Sequence, residues 1–297
     1  MKKIIFFGNQ KALIDCIEYS IKQKDVKISL VVGCENENDV KDGNPSIERY
    51  CKVNNIPFVN QEEIDDDFLN LVSEISPDVC FSILYRKIFK ENLISIPRNG
   101  FINIHPSLLP KYRGPIPRVW AMLSGEEVLG TTIHYIDKGI DTGDIIDQKS
   151  VKIDENITGH QLNTILNDLG VDLFKKNFKS IISGKAERKV QNHSEASYYG
   201  AFNQKIRHID WFEPTKIILR RINLMTKPYS GAIAVLDNDE NMIIWKAEKY
   251  NFDKSKLNGP GKVFNLNDSS FCVTTIDGAI KVTDYSIQFK SKKFITR

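Results

Sequence analysis

The sequence predicts an α/β protein: a doubly wound, mostly parallel sheet, followed by a small antiparallel β-barrel. Three observations predict it. Short apolar runs alternate with amphipathic stretches through the first half, the pattern of parallel strands covered by helices. The runs Ile4-Ile5-Phe6-Phe7 and Ser29-Leu30-Val31-Val32 are apolar at successive positions rather than alternate ones, as a strand buried on both faces must be. In the last third, β-rich runs follow one another separated only by turns, as in a small barrel.

Taken in order, strands are expected at 3–7, 28–32, 78–84 and 101–105, with helices between them at about 10–23, 45–54, 64–75 and 115–124. Two β-rich runs, 131–136 and 144–153, flank an Asp-Thr-Gly-Asp turn, and a long helix over 158–183 ends near Gly184. Residues 185–210 are polar and irregular. Pro214 opens a helix that runs to 225, since proline is tolerated at an early helical position. Five strands follow at 232–236, 242–246, 261–265, 271–275 and 280–285. These elements divide the chain into a first domain over 1–187, a linker over 188–210 and a β domain over 211–297, with no internal repeat.

The chain has 297 residues, 41% apolar and 27% charged, the proportions of a soluble globular protein. Two lysines precede the first apolar run, but Gly8-Asn9-Gln10-Lys11 interrupts it and no small-residue cleavage site follows, so it reads as a buried strand rather than a signal peptide. No apolar stretch approaches the ~20 residues of a membrane span. The five cysteines are scattered and form no CxxC, which argues for free buried thiols in a reducing cytoplasm and against a disulfide framework or a metal site. Net charge is +3; residues 1–200 carry 25 basic against 28 acidic side chains, and residues 201–297 carry 16 against 10. Four of the basic residues of the second part, Lys290, Lys292, Lys293 and Arg297, lie in the last eight positions. The body of the β domain is therefore near neutral, unlike the basic face of a nucleic-acid-binding domain.

The chemistry concentrates in residues 103–144. Asn103 and His105 lie two apart on a strand and so share one face, while Ile102 and Ile104 point to the other. Strand ends of a doubly wound sheet are where ligands gather. The loop that follows, Ser107-Leu-Leu-Pro-Lys-Tyr-Arg113-Gly114-Pro115, is rich in turn formers, and Asp141 stands in Gly139-Ile-Asp141-Thr-Gly143-Asp144. An amide, an imidazole and a carboxylate supply an oxyanion donor, a base and an orienting group, the set that moves an acyl group onto an amine. Imidazole is the side chain that titrates nearest neutrality.

The motif Asn103-x-His105-x-Ser107-Leu-Leu-Pro110-x-x-Arg113-Gly114, with Asp141-Thr-Gly-Asp144, resembles the 10-formyltetrahydrofolate-dependent formyltransferases. That resemblance implies a Rossmann-like catalytic domain, an OB-like C-terminal barrel, and Asn103, His105 and Asp141 as the catalytic trio. It leaves His105 and Asp141 as alternative proton acceptors. Ser82-Ile-Leu84-Tyr85-Arg86, Ser197-Tyr198-Tyr199-Gly200 with Ile209-Asp210-Trp211, and Asn223–Ala232 with its Pro228-Tyr229 resemble the sugar-nucleotide branch. Gly8-Asn9-Gln10-Lys11 lacks the Thr/Ser-Pro-x-Phe of the transfer-RNA enzyme, and the short Asn/Asp-rich segment 35–44 departs from both patterns.

The resemblance implies 10-formyltetrahydrofolate as co-substrate without a metal, its pterin lying along Leu84, Tyr85, Arg86 and Ile88 and along Asp137, Gly139 and Ile140. It implies a dTDP- or UDP-linked aminosugar as acceptor, met by Gly8, Asn9, Lys11, Ser107, Arg113 and Tyr199, in lipopolysaccharide assembly, with no membrane or nucleic-acid partner. Lys11 is either a diphosphate contact or a solvated lysine, Arg113 either a diphosphate partner or a loop clamp, and Tyr199 either a substrate contact or a pin for the linker. Methionyl-tRNA formylation and hydrolysis of formyl-folate are the competing activities. A homodimer through the exposed strand edges of the β domain is compatible with the pattern.

Overall fold

Seven strands form the main sheet, in the order β3-β2-β1-β4-β5-β6-β7. They are β1 (Lys2–Gly8), β2 (Val26–Gly33), β3 (Phe58–Asn60), β4 (Val79–Ile83), β5 (Phe101–His105), β6 (Val128–Tyr135) and β7 (Ile145–Lys152). The structure is a computed structural model and describes residues 1–34, 45–61, 63–236, 240–251, 253, 259–265, 267 and 269–288. β1, β2, β3, β4 and β5 pair in parallel, and β6 runs antiparallel to β5. The expected mostly parallel sheet is therefore present.

The apolar runs place β1 in the middle. Ile4 and Phe6 face a layer containing Leu13, Ile17, Phe81, Phe174 and Phe178, while Ile5 and Phe7 face a second layer with Leu30, Phe68, Cys80 and Phe101. Both faces are covered, which is why the run does not alternate. The first layer is built by α1 (Gln10–Ile21), α2 (Ile47–Val53) and the 24-residue α6 (Gly159–Ile182). α3 (Asp66–Ile75) and the single turn α4 (Glu91–Ile94) cover the second. Asp65 caps α3 by accepting the Phe68 N–H at 2.9 Å, the preferred use of aspartate at a helix start. Gly170 lets α6 approach β5: a Cβ there would lie 2.6 Å from Ile104 Cγ2.

The chain divides into two compact units. One comprises Met1–Pro117, Val128–Val151 and Thr164–Gly200; the other Arg118–Glu127, Lys152–Asn163 and Ala201–Arg297. The second unit includes α5 (Pro117–Leu123), apart from its first residue, together with α7 (Thr215–Met225) and a five-stranded antiparallel sheet. That sheet contains β8 (Ala232–Val235), β9 (Asn241–Tyr250), β10 (Val263–Phe264), β11 (Phe271–Thr274) and β12 (Ala279–Gln288), in the order β10-β11-β12-β9-β8. Register shifts between Val282 and Tyr285 interrupt the long β9–β12 pair, and such bulges bend and twist strands. The five strands make a curled antiparallel sheet, a half-barrel, which is the small β-barrel domain expected. α7 packs on β9. Its Thr215 Oγ1 donates to Asp277 Oδ1 and its Arg221 Nη2 to Glu213, both at 2.7 Å.

Candidate active site

β5 supplies Asn103 and His105 at its carboxyl end, as the alternation of its residues requires. The antiparallel register of β5 and β6 sets Asn103 opposite His134 and His105 opposite Thr132. Asn103 Nδ2 lies 3.1 Å from His134 Nε2. His134 Nδ1 lies 2.7 Å from the carbonyl oxygen of Tyr135. That oxygen can only accept, so Nδ1 carries the proton and Nε2 is bare.

His105 is held the opposite way round. Its Nε2 lies 2.9 Å from the Tyr112 carbonyl oxygen and therefore donates, which leaves Nδ1 facing Asp141. Asp141 turns its Oδ1 to the other ring nitrogen of each histidine, 3.5 Å from His105 Nδ1 and 3.7 Å from His134 Nε2. Its Oδ2 accepts the Gly114 N–H at 2.8 Å. Asn103, His105 and Asp141 thus converge, with Asp141 partly open to solvent at 15% exposure. His134 is fully enclosed, and burial pushes its imidazole well below the ordinary value; the Asp141 carboxylate opposes that shift without reversing it.

The loop over 107–114 is fixed from within. Ser107 Oγ donates to the Lys111 carbonyl at 2.8 Å, and the Thr132 hydroxyl donates to the Ser107 carbonyl at 2.6 Å. Arg113, 1% exposed, donates to Gln191 Oε1 at 2.7 Å, to His193 Nδ1 at 3.1 Å and to the Tyr198 hydroxyl. Of the two readings left open for Arg113, the geometry is that of the loop clamp. Gln191 completes the clamp by donating to the Asp141 and Gly143 carbonyls at 2.9 and 2.7 Å. Tyr199 stacks on Tyr112 with centroids 5.1 Å apart, and its N–H donates to the Arg113 carbonyl.

The remaining expected contacts divide. Asn9, 1% exposed, is engaged internally: its amide donates to Cys34 Sγ and its oxygen accepts the Cys34 N–H. It ties the ends of β1 and β2 together instead of offering its side chain to a ligand. A Cβ on Gly8 would meet the Ile83 carbonyl at 2.0 Å, so glycine there serves the β1–β4 contact. Lys11 is exposed and ion-paired with Asp15 at 2.7 Å, one turn on. Leu84, at φ 57°, leaves β4 beside His105. Tyr85 packs its ring on Phe89 and Phe7 and donates its hydroxyl to the Gln61 carbonyl, and burial pushes that phenol up to about 12. Arg86 and Ile88 are exposed. Asp137 accepts the Gly139 N–H at 3.0 Å, and Ile140 is exposed. The segments 84–88 and 137–140 leave the sheet at opposite ends of β5, because β4 is parallel to it and β6 antiparallel.

The sequence reading missed His134 and Gln191. A period-two signal for His134 existed, since Thr132 and His134 alternate with Ile133 and Tyr135. Gln191 sits in an irregular segment with no pattern to single it out. Among the described residues no group of histidine, cysteine and acidic side chains is arranged to hold a metal ion.

A doubly wound sheet that ends a strand in an amide and an imidazole and closes a carboxylate loop over them defines an acyl-transferring enzyme. Residues 2–177 match the family described as Formyl transferase, and residues 203–296 match its C-terminal domain. The chain belongs to the formyl transferase family and is a formyltransferase. It is 31% identical to a methionyl-tRNA formyltransferase of Clostridioides difficile, over 98% of this chain and 93% of that one. It is 32% identical to the bifunctional polymyxin resistance protein ArnA of Wigglesworthia glossinidia brevipalpis, over 90% of this chain and 40% of that one. The solved N-formyltransferase of Helicobacter canadensis, in complex with folinic acid and dTDP-3-aminofucose, superposes with a TM-score of 0.77 at 26% identity, covering 96% of this chain and 100% of that one.

Proposed function

We propose that this formyltransferase moves the formyl group of 10-formyltetrahydrofolate onto the primary amine of a dTDP- or UDP-linked amino-deoxy sugar, and that Asn103, His105 and Asp141 perform the transfer. In this reading the uncharged amine attacks the formyl carbon. The C–N bond forms and the carbonyl oxygen becomes an oxyanion that accepts the free N–H of Asn103. The amine proton passes to the Asp141 Oδ1–His105 Nδ1 pair. The resulting imidazolium is held between the Asp141 carboxylate and the Tyr112 carbonyl. The intermediate then collapses, breaking the bond to the folate nitrogen, which takes up the proton. In the same reading the catalytic domain spans 1–187, the linker 188–210 and the β domain 211–297, and the protein works in the cytoplasm.

The observation that carries the sugar-nucleotide acceptor is charge. The first 200 residues are net acidic, with 25 basic against 28 acidic side chains. A net acidic chain repels a polyanion such as transfer RNA more than a single diphosphate. The dTDP-aminosugar named for the H. canadensis enzyme supports the same reading. The C. difficile relative favours a second reading, formylation of methionyl-tRNA. Incubation with formyl donor and a panel of dTDP- and UDP-linked 3- and 4-aminosugars, beside charged initiator transfer RNA, separates the two. The expected product is a nucleotide sugar heavier by one formyl group. Formylated transfer RNA alone would establish the second reading, and formate released without any acceptor would make the protein a hydrolase.

A further inference from the structure

One polar group in the site has no part in the transfer just described: His134. It is enclosed, 1% exposed, and touches both Asn103 and Asp141. Its tautomer is fixed from outside the site, because the Tyr135 carbonyl takes the Nδ1 proton. The bare Nε2 can then only accept. Of the two ends of the Asn103 side chain, only the NH2 end can satisfy it, so the amide orientation is decided by chemistry: Nδ2 faces β6 and Oδ1 faces away. An Asn103 turned the other way would set its carbonyl oxygen against a nitrogen lone pair. Nδ2 has two hydrogens. One is held by His134; among the described residues the second meets no protein partner.

We propose that His134 is the positioning residue of the oxyanion donor: its bare Nε2 fixes the Asn103 amide so that the remaining N–H points at the carbonyl oxygen of the formyl group. The inference rests on Asn103 being that donor. A free asparagine samples both amide orientations and several rotamers, and each wrong one presents the developing charge with an acceptor or with nothing. Preorganised donors stabilise a transition state because they do not reorganise during reaction. Enclosure of His134 serves the same end. An imidazolium would donate from Nε2, turn the Asn103 oxygen toward itself and compete for Asp141 with His105. The groups facing it are Asp141 and, further off, Asp137 from the loop after β6, and His105 from β5.

The test is a double-mutant cycle read in kcat. His134→Leu removes the acceptor and keeps an apolar side chain of similar bulk; His134→Gln restores a carbonyl acceptor. His134→Leu is expected to lower kcat by at least ~10-fold, toward but not beyond the ~10²–10³ of losing an oxyanion donor, with KM for both substrates held within about twofold. His134→Gln is expected to recover most of that loss. In an Asn103→Ala background, His134→Leu should cost nothing further, because residues that act as one unit are not additive. A fall in kcat that Gln does not rescue, or that persists undiminished in the Asn103→Ala background, makes His134 a packing residue and overturns the inference. If Asn103→Ala alone keeps wild-type kcat, the donor assignment fails and the inference fails with it. If Asn103→Ala is impaired and His134→Leu is not, the inference alone fails. Should the variants not fold, ¹⁵N resonances of histidine in the wild-type protein decide: a neutral ring protonated at Nδ1 supports the arrangement, and protonation at Nε2 overturns it.

Discussion

At the residue scale Asp141 is the position where charge and backbone can be separated. It adopts φ 53°, a left-handed conformation that few side chains tolerate and that aspartate and asparagine accept most readily. Asparagine is therefore the variant that separates charge from position. In Asp141→Asn the amide oxygen still accepts the Gly114 N–H and the backbone keeps its turn, while the negative charge beside His105 Nδ1 is gone. The expected result is a fall in kcat of ~10²–10⁴, the usual range for positioned acid–base groups, with unfolding by urea unchanged. His134 has a second, independent signature. Burial holds its folded-state value below the unfolded one, so the unfolded chain binds more protons than the native protein just below neutrality. Its contribution to stability is complete above the unfolded imidazole value of ~6.5 and declines as pH falls below that value. Urea midpoints measured from pH ~8 down to ~5 should show this decline, and His134→Leu should flatten it if the variant folds.

At the element scale the site depends on a strap, residues 189–199, that joins the two loops carrying the chemistry. Gln191 satisfies all of its hydrogen-bonding groups there: two N–H bonds to the Asp141 loop and one acceptance from Arg113. Gln191→Leu would leave two buried carbonyls and an enclosed guanidinium without this partner. At ~1–3 kcal/mol for an unsatisfied buried group, the expected loss of stability is ~3 kcal/mol or more, and kcat should fall with it because Asp141 is no longer held. Urea denaturation and steady-state rates on the same preparation check both. Such a strap explains what the sequence could and could not disclose. β1, β2, β4, β5 and α6 are legible because their periodicity is local, and Asn103 and His105 are legible because they sit two apart on one strand. β3 has three residues and α4 four, too short for any period to register. The internal bonding of Asn9 and Arg113, and the places of His134 and Gln191, were not legible for one reason. Their distant partners lie 25 to 85 positions away, brought close by strand register and loop crossing. A polar residue beside a motif resembles a ligand contact until the residue that satisfies it is known.

For the whole molecule, charge distinguishes between acceptors more sharply than resemblance does, because relatives of both kinds lie at 31–32% identity. A transfer RNA held through many phosphates releases a counterion at each contact. A protein making 6–10 such contacts loses ~10³–10⁵ in affinity between ~50 and ~200 mM salt. A nucleotide diphosphate presents two phosphates, so the same change of salt should weaken it by less than ~10-fold. The chain has a near-neutral second part once its last eight residues are set aside, and a net acidic first part, which matches the smaller anion. The KM for the aminosugar nucleotide is therefore expected to rise only a few-fold across that range, with kcat unchanged. The nucleotide sugar at ~100 times its dissociation constant should stabilise the protein by ~2.7 kcal/mol, visible as a higher melting temperature in both salts. A steep loss of activity with salt, accompanied by no thermal shift from any nucleotide sugar, would transfer the assignment to the transfer-RNA acceptor. The chemistry of Asn103, His105 and Asp141 would be unchanged by that outcome, since a formyl group and a primary amine are common to both reactions.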